Sequence, residues 1–541
     1  VHMKNNFFGY MFILFIIIIM GFAIYRVKIQ NTEKDSENAS TSSANTQEVQ
    51  KGTEITLAIS EFDNINPIIT SNKKVQDIDK LIYEPLIDIT EDYNIEYKLA
   101  SECAKSSGNI YIIKLRQGIK WSDGTRFTSD DVKYTIDKLK ETQENQDLNS
   151  VYTQNVSVIK EVDIIDNYTL RFILSQEVNN FEYYLNLPIL SSSYYLDTDF
   201  WNTDKNKAPI TTGQYKISEV TNNTIVLAKN ENWWNAKKYT SIIDKITINL
   251  YSTAAELYNA FKMGSIDLIS TQNVSYQDYI GTIGYDVSEI EGREFVFLAL
   301  NTTNGILSDV NVRKAIRASL DKNRVISNSY GNMYKTSNFP LNTGSYLVEQ
   351  KEEDYYNIDE KNNLLTSSVW ELKYGVWQKI ENYRTKMLEL NLVVRTSDET
   401  RKQAAEDIKN QLQEQGILVN IIYADESSYN SYLNNVNYDM MIGSIDQSIA
   451  PDLTTYFGYN NLAKYDNQEV NEIMNAVKNM TDSNELKSKY QRLYEIYNDE
   501  VPYIGIARNK IIAVKNTELV GDIKANWYNM FYNIKEWYNS K

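Results

Sequence analysis

The sequence predicts an α/β fold containing parallel strands, set behind a separate apolar segment. Three observations predict it. Leu390–Thr396, Ile417–Tyr423 and Tyr438–Ser444 each read as a strand, and helical patterns fill both gaps between them. Strand–helix–strand–helix–strand with short joins implies parallel βαβ units. The stretch Trp121–Tyr134 joins a tight turn to a helix start. Finally, Phe7 to Tyr25 carries no charge across nineteen residues and stands apart from the rest.

Taken in order, the run 7–25 is long enough to cross a bilayer core of about 30 Å at 1.5 Å per residue. No small-residue cleavage site follows at once, so residues 1–28 are expected to form an uncleaved single-pass anchor rather than a removed signal. Residues 29–52 are polar, lack large apolar side chains and read as a flexible tether. The folded body begins at Glu54-Ile-Thr-Leu-Ala-Ile59, whose alternation is that of a strand. In Trp121-Ser-Asp-Gly124, Gly124 supplies positive φ and Asp123 bonds its own backbone. Thr128 is then the expected N-cap, with Asp131 three residues on. Further along, Thr396-Ser-Asp-Glu399 reads as a capping box. Ala404, Ala405, Ile408 and Leu412 form an apolar stripe at helical spacing, and Gly416 stops that helix.

Composition narrows the function. At 541 residues, 42% hydrophobic and 12% aromatic, the chain can fill several domain-sized units with a packed core. Its net charge of −17 argues against nucleic acid, which needs a cationic surface. The single histidine is His2 and the single cysteine is Cys103. Histidine triads, HExxH zinc sites and an intrachain disulfide are therefore excluded from the folded body. No phosphate loop is present. The 41 tyrosines suit a binding cleft, and equally fit a plain compositional bias.

A set of short matches in a fixed order carries a resemblance. Ile65-Asn66-Pro67 comes first, followed by Tyr83-Glu-Pro-Leu86, Leu99-Ala100 and Tyr111–Gly118, which lead into Trp121–Tyr134. Thr211–Lys216, Asn230–Trp234, Phe261–Asp267, Asn301 with Asp309–Ala315, and Val501–Ile504 come after. Over roughly 450 residues this resembles the dipeptide/oligopeptide-binding family of extracytoplasmic solute-binding proteins, the receptors of ABC importers. The resemblance implies a two-lobed periplasmic-binding-protein-like fold of type II with an extra subdomain. It implies a first lobe over 53–300, a second over 301–500, and a return segment over 501–541. It also implies a monomeric, non-enzymatic, membrane-tethered receptor without a cofactor, which closes over an oligopeptide and hands it to permease subunits.

Ligands of open α/β sheets sit beyond the carboxyl ends of strands. That places Ser444, Asp446 and Gln447 at the expected site. Where the family has a Trp and an Asp in this loop, ungapped alignment puts Ser444 and Gln447, with Asp446 one residue early. The family's Asp meets the peptide α-amino group; Gln447 offers only a neutral hydrogen bond, weaker than a charge-assisted one. Glu61 and Phe62, at the end of the first strand, are the second expected contacts. The sequence leaves three other readings open. They are a receptor for an oligosaccharide or nickel chelate, a tethered peptide sensor, and, remotely, a glycosidase built on two carboxylates.

Overall fold

The computed structural model describes residues 52–540 apart from Gln146, Asn179, Thr240, Gln272, Asn273, Glu352 and Thr481. The expected anchor over 1–28 and the tether up to residue 51 lie outside the described residues. Among the described residues no helix is long and apolar enough to cross a membrane.

The first strand forms as its alternation demands: Ile55, Leu57 and Ile59 are buried in Glu54–Ser60. It pairs in parallel with Lys245–Tyr251, which pairs antiparallel with Thr224–Lys229 and through it with Tyr215–Val220. A second four-stranded sheet, Ala100–Ser107, Ile110–Leu115, Thr169–Leu174 and Ile159–Asp166, is wholly antiparallel. Helix Ser129–Glu144 buries Val132, Ile136 and Leu139. Its start explains the Trp121 stretch. One Asp131 oxygen accepts the Thr128 N–H at 2.9 Å and the Trp121 indole N–H at 3.2 Å. The other accepts the Ser192 N–H and hydroxyl, both at 2.9 Å. The stretch is a structural hub around one buried carboxylate.

In the second half, Glu389–Arg395 runs parallel to Leu418–Ala424 on one side and Met440–Asp446 on the other. Helix Glu399–Glu414 buries Ala404, Ala405, Ile408 and Leu412 against this sheet, and Gly416 (φ 80°) ends the turn after it. The cap differs from expectation. Asp398, not Thr396, is the N-cap and accepts the Arg401 N–H at 2.9 Å. Thr396 still donates its N–H to Ala424 O, so the strand ladder claims it first.

Two long strands, Tyr285–Leu300 and Tyr503–Asn516, join both halves. In the former, Phe295, Phe297 and Ala299 enter one apolar cluster and Val296, Leu298 and Leu300 enter another. Helices therefore cover both faces of this part of the sheet, as period-two alternation requires. The first-lobe cluster contains Ile290 and Ala513, whereas the second-lobe clusters begin at Phe295 and include Ala507. The chain thus changes core between 290 and 295 and again between 507 and 513. The boundaries expected at 300/301 and 500/501 lie at the far ends of the same strands. The crossing is irregular, with register shifts at Glu291/Phe295 and Val296/Phe297. Gly292 makes room there, because a Cβ would meet the Asn509 carboxamide at 2.1 Å, the group that accepts the Glu294 N–H. Leu519, Met530, Phe531, Ile534 and Trp537 return the chain to the first core.

Candidate ligand site between the lobes

The lobes touch where the two crossing strands meet the loop after Met440–Asp446. A small cluster spans the junction, with Ile89, Tyr183, Trp527 and Tyr528 from the first lobe and Ala450 from the second. Tyr346 donates its N–H to Asp92 O at 2.9 Å, a second direct link between lobes. Trp527 donates its indole N–H to Asn342 Oδ1 at 3.3 Å, and Tyr183 its hydroxyl to Tyr93 O at 3.0 Å.

Arg508 anchors this junction. It is fully buried, with Nε 3.0 Å from Glu291 Oε1. Its remaining nitrogens donate to Arg293 O at 3.3 Å, Phe339 O at 3.2 Å, Pro340 O and Gln447 Oε1 at 3.1 Å. Burial lowers the pKa of the guanidinium, and the Glu291 carboxylate opposes that shift. Glu291 also lies 3.0 Å from Lys335 Nζ and accepts the Thr343 N–H. Both terminal nitrogens of Arg508 are hydrogen-bonded, while Nε makes no hydrogen bond and meets Glu291 as an ion pair, which is how this buried charge is tolerated.

Gln447 is locked from three sides. Its N–H donates to Arg293 O at 2.9 Å, its carbonyl accepts from Arg293 Nε at 3.1 Å, and its amide oxygen is held by Arg508. Alternation turns Asp446 to the opposite face, beside Ser444. There Ser444 donates to Glu294 Oε1 at 2.7 Å and accepts from Arg401, while Tyr334 donates to Glu294 Oε2 at 2.6 Å. Asp446 is exposed and forms no ion pair among the described residues. Glu61 sits in the left-handed region (φ 55°), with its N–H on Tyr251 O at 3.0 Å, and Phe62 packs on the first-lobe core. Neither hydrogen-bonds the second lobe among the described residues. The structure thus brings Gln447 to the junction and leaves Glu61 and Phe62 on the first lobe.

Sequence reasoning missed Arg508, Arg293, Lys80 and the Trp527–Tyr528 pair. Arg508 left a signal, being one cation inside the apolar run Tyr-Ile-Gly-Ile-Ala-Arg508. Hollows of about 540 and 630 Å³ occur away from the junction, against helix Ile358–Ser367 and beside Ile110–Leu115, each lined by one lobe only.

Known proteins share this fold. The oligopeptide-binding protein AppA of Bacillus subtilis is 22% identical, over 97% of this chain and 98% of its own. The solved structure of the nickel ABC transporter from Bacillus halodurans superposes with a TM-score of 0.74 at 18% identity, covering 90% of this chain and 100% of its own. The unliganded open form of the periplasmic murein tripeptide binding protein MppA gives the same score at 18% identity, over 90% and 97%. Residues 94–467 match the model of the bacterial extracellular solute-binding proteins, family 5 (middle), so the chain belongs to that family of non-enzymatic solute-binding proteins.

Proposed function

We propose that this chain is a tethered extracytoplasmic receptor that captures oligopeptides between its lobes and delivers them to an ABC permease. The junction carries the reading. An aromatic floor, Tyr183, Trp527 and Tyr528, is met by a second-lobe loop held at a hinge through which the strands Tyr285–Leu300 and Tyr503–Asn516 pass. Rotation at the 291–295 and 508–512 crossings covers or uncovers that floor. Aromatic faces tolerate varied side chains, while backbone groups of an extended peptide supply affinity. Residues 1–28 serve as the anchor and 29–52 as the tether, and the chain works as a monomer. Ser444, Asp446, Gln447, Glu61 and Phe62 border the peptide path. Relatives include nickel-binding proteins.

The test is thermal unfolding of the full chain, refolded to strip ligand, with and without a pool of two- to ten-residue peptides. A ligand at 100 times its Kd adds about 2.7 kcal/mol, a rise of several degrees. No rise with peptides, beside a rise with sugars or nickel chelates, sinks the peptide reading.

A further inference from the structure

Trp527 and Tyr528 each hold a cation over the ring. Arg293 Cζ lies 5.0 Å from the Trp527 ring and Lys80 Nζ lies 3.6 Å from the Tyr528 ring. The two rings, both buried at the inter-lobe junction, meet edge to face at 6.2 Å, so the cations sit on adjoining rings, and Lys80 also donates to the Tyr528 hydroxyl.

Neither cation forms an ion pair with a described carboxylate, although the chain carries a net charge of −17. The nearby acids are already engaged. Around Arg293, Glu291 is shared by Arg508 and Lys335, Glu294 is held by Arg401, Ser444 and Tyr334, and the exposed Asp446 forms no ion pair among the described residues. Around Lys80, Asp77 pairs with Lys73 and Asp88 accepts the Ile89 N–H at 2.9 Å. Asp79 is buried without a hydrogen-bond partner, and burial raises its pKa and favours its neutral form. The acceptors of Gln447 are both consumed by arginines, so the loop offers nothing to an ammonium group at that residue.

We propose that the site selects ligands bearing a carboxylate, which docks over Trp527–Tyr528 between Lys80 and Arg293. The inference rests on the peptide reading and specifies the charged group by which the peptide is recognised. A guanidinium and an ammonium both make charge-assisted bonds to a carboxylate, and Arg293 uses only Nε within the protein. The carboxylate comes either from the peptide C-terminus or from an acidic side chain.

Calorimetry on the full chain separates these, using penta-alanine as the free acid, N-acetylated and C-amidated, and an amidated pentapeptide with a central glutamate. Acetylation is expected to change affinity by less than about threefold and amidation to lower it by about tenfold or more. Recovery with the glutamate peptide assigns the carboxylate to a side chain, and no recovery assigns it to the C-terminus. Arg293→Gln and Lys80→Met should each weaken the free acid by about tenfold while leaving the amide unchanged, a discrimination that a merely structural role does not produce. Equal binding of acid and amide with no gain from the central glutamate, or loss on acetylation alone, overturns this inference and leaves the peptide reading intact. Absence of binding by all four peptides strikes the peptide reading itself.

Discussion

Arg508 and Arg293 are neighbours at one junction and have opposite surroundings. Arg508 is fully buried and meets one carboxylate, three backbone carbonyls and the Gln447 amide. Arg293 is exposed, lies on an indole face, donates once to a backbone carbonyl and meets no carboxylate among the described residues. A charge removed from water must be answered within the protein, whereas one at the cleft can be left for a ligand. The contrast teaches which arginine holds the fold and which is available for binding.

Breaking the buried member should have the largest effect. Arg508→Ala leaves Glu291 partly buried beside Lys335 alone and frees three carbonyls. We expect a loss of about 3–5 kcal/mol in denaturant unfolding. A loss below about 1 kcal/mol would show that the hinge does not depend on this cation.

Glu84 tests another way to bury a charge. Its carboxylate is answered by the indole N–H groups of Trp233 (2.7 Å) and Trp234, and burial raises its pKa to about 7, with Lys98 and the indoles opposing. The folded state then holds a proton that the unfolded state releases between pH 4.5 and about 7. Stability should fall as pH rises through that window, by about 1–3 kcal/mol. Glu84→Gln should flatten the slope; an unchanged slope assigns it to other groups.

Lys80 sharpens the comparison from the cleft side. Burial lowers its pKa from 10.5 to about 8, with Asp88 opposing. The unfolded state binds the extra proton between pH 8 and 10.5, so this group makes stability rise with pH there. Over the same range the affinity for a carboxylate ligand should fall. Lys80→Met should remove both trends, and affinity that stays flat above pH 8 in the unaltered chain would deny Lys80 its place. The smallest expected effect on the fold belongs to Arg293→Gln, within about 0.5 kcal/mol of the parent. A loss near that of Arg508→Ala would make the two arginines alike and end the comparison.

Much of the fold was legible. The strands at 390, 417 and 438 form within two residues of the expected positions because their alternating and parallel-sheet patterns are local. Thr128 and Asp131 were legible because a helix start is a short-range contest for backbone N–H groups. The Thr396 cap was misread because the strand partner Ala424, twenty-eight residues away, takes its N–H. The site was harder. Trp527–Tyr528, Lys80 and Arg293 are separated by hundreds of residues and carry no motif, and the Arg508–Glu291 pair spans two strands from different parts of the chain.

By itself the sequence determined the α/β class, the strand and helix positions, the absence of histidine chemistry from the folded body and the family resemblance, all of which rest on local pattern and composition. Only the tertiary structure decided where the chain passes between cores, which face Asp446 and Gln447 present, and which cations form no ion pair with a described carboxylate. Those depend on register, burial and long-range pairing, and a charge is compensated or left free by what folding brings beside it.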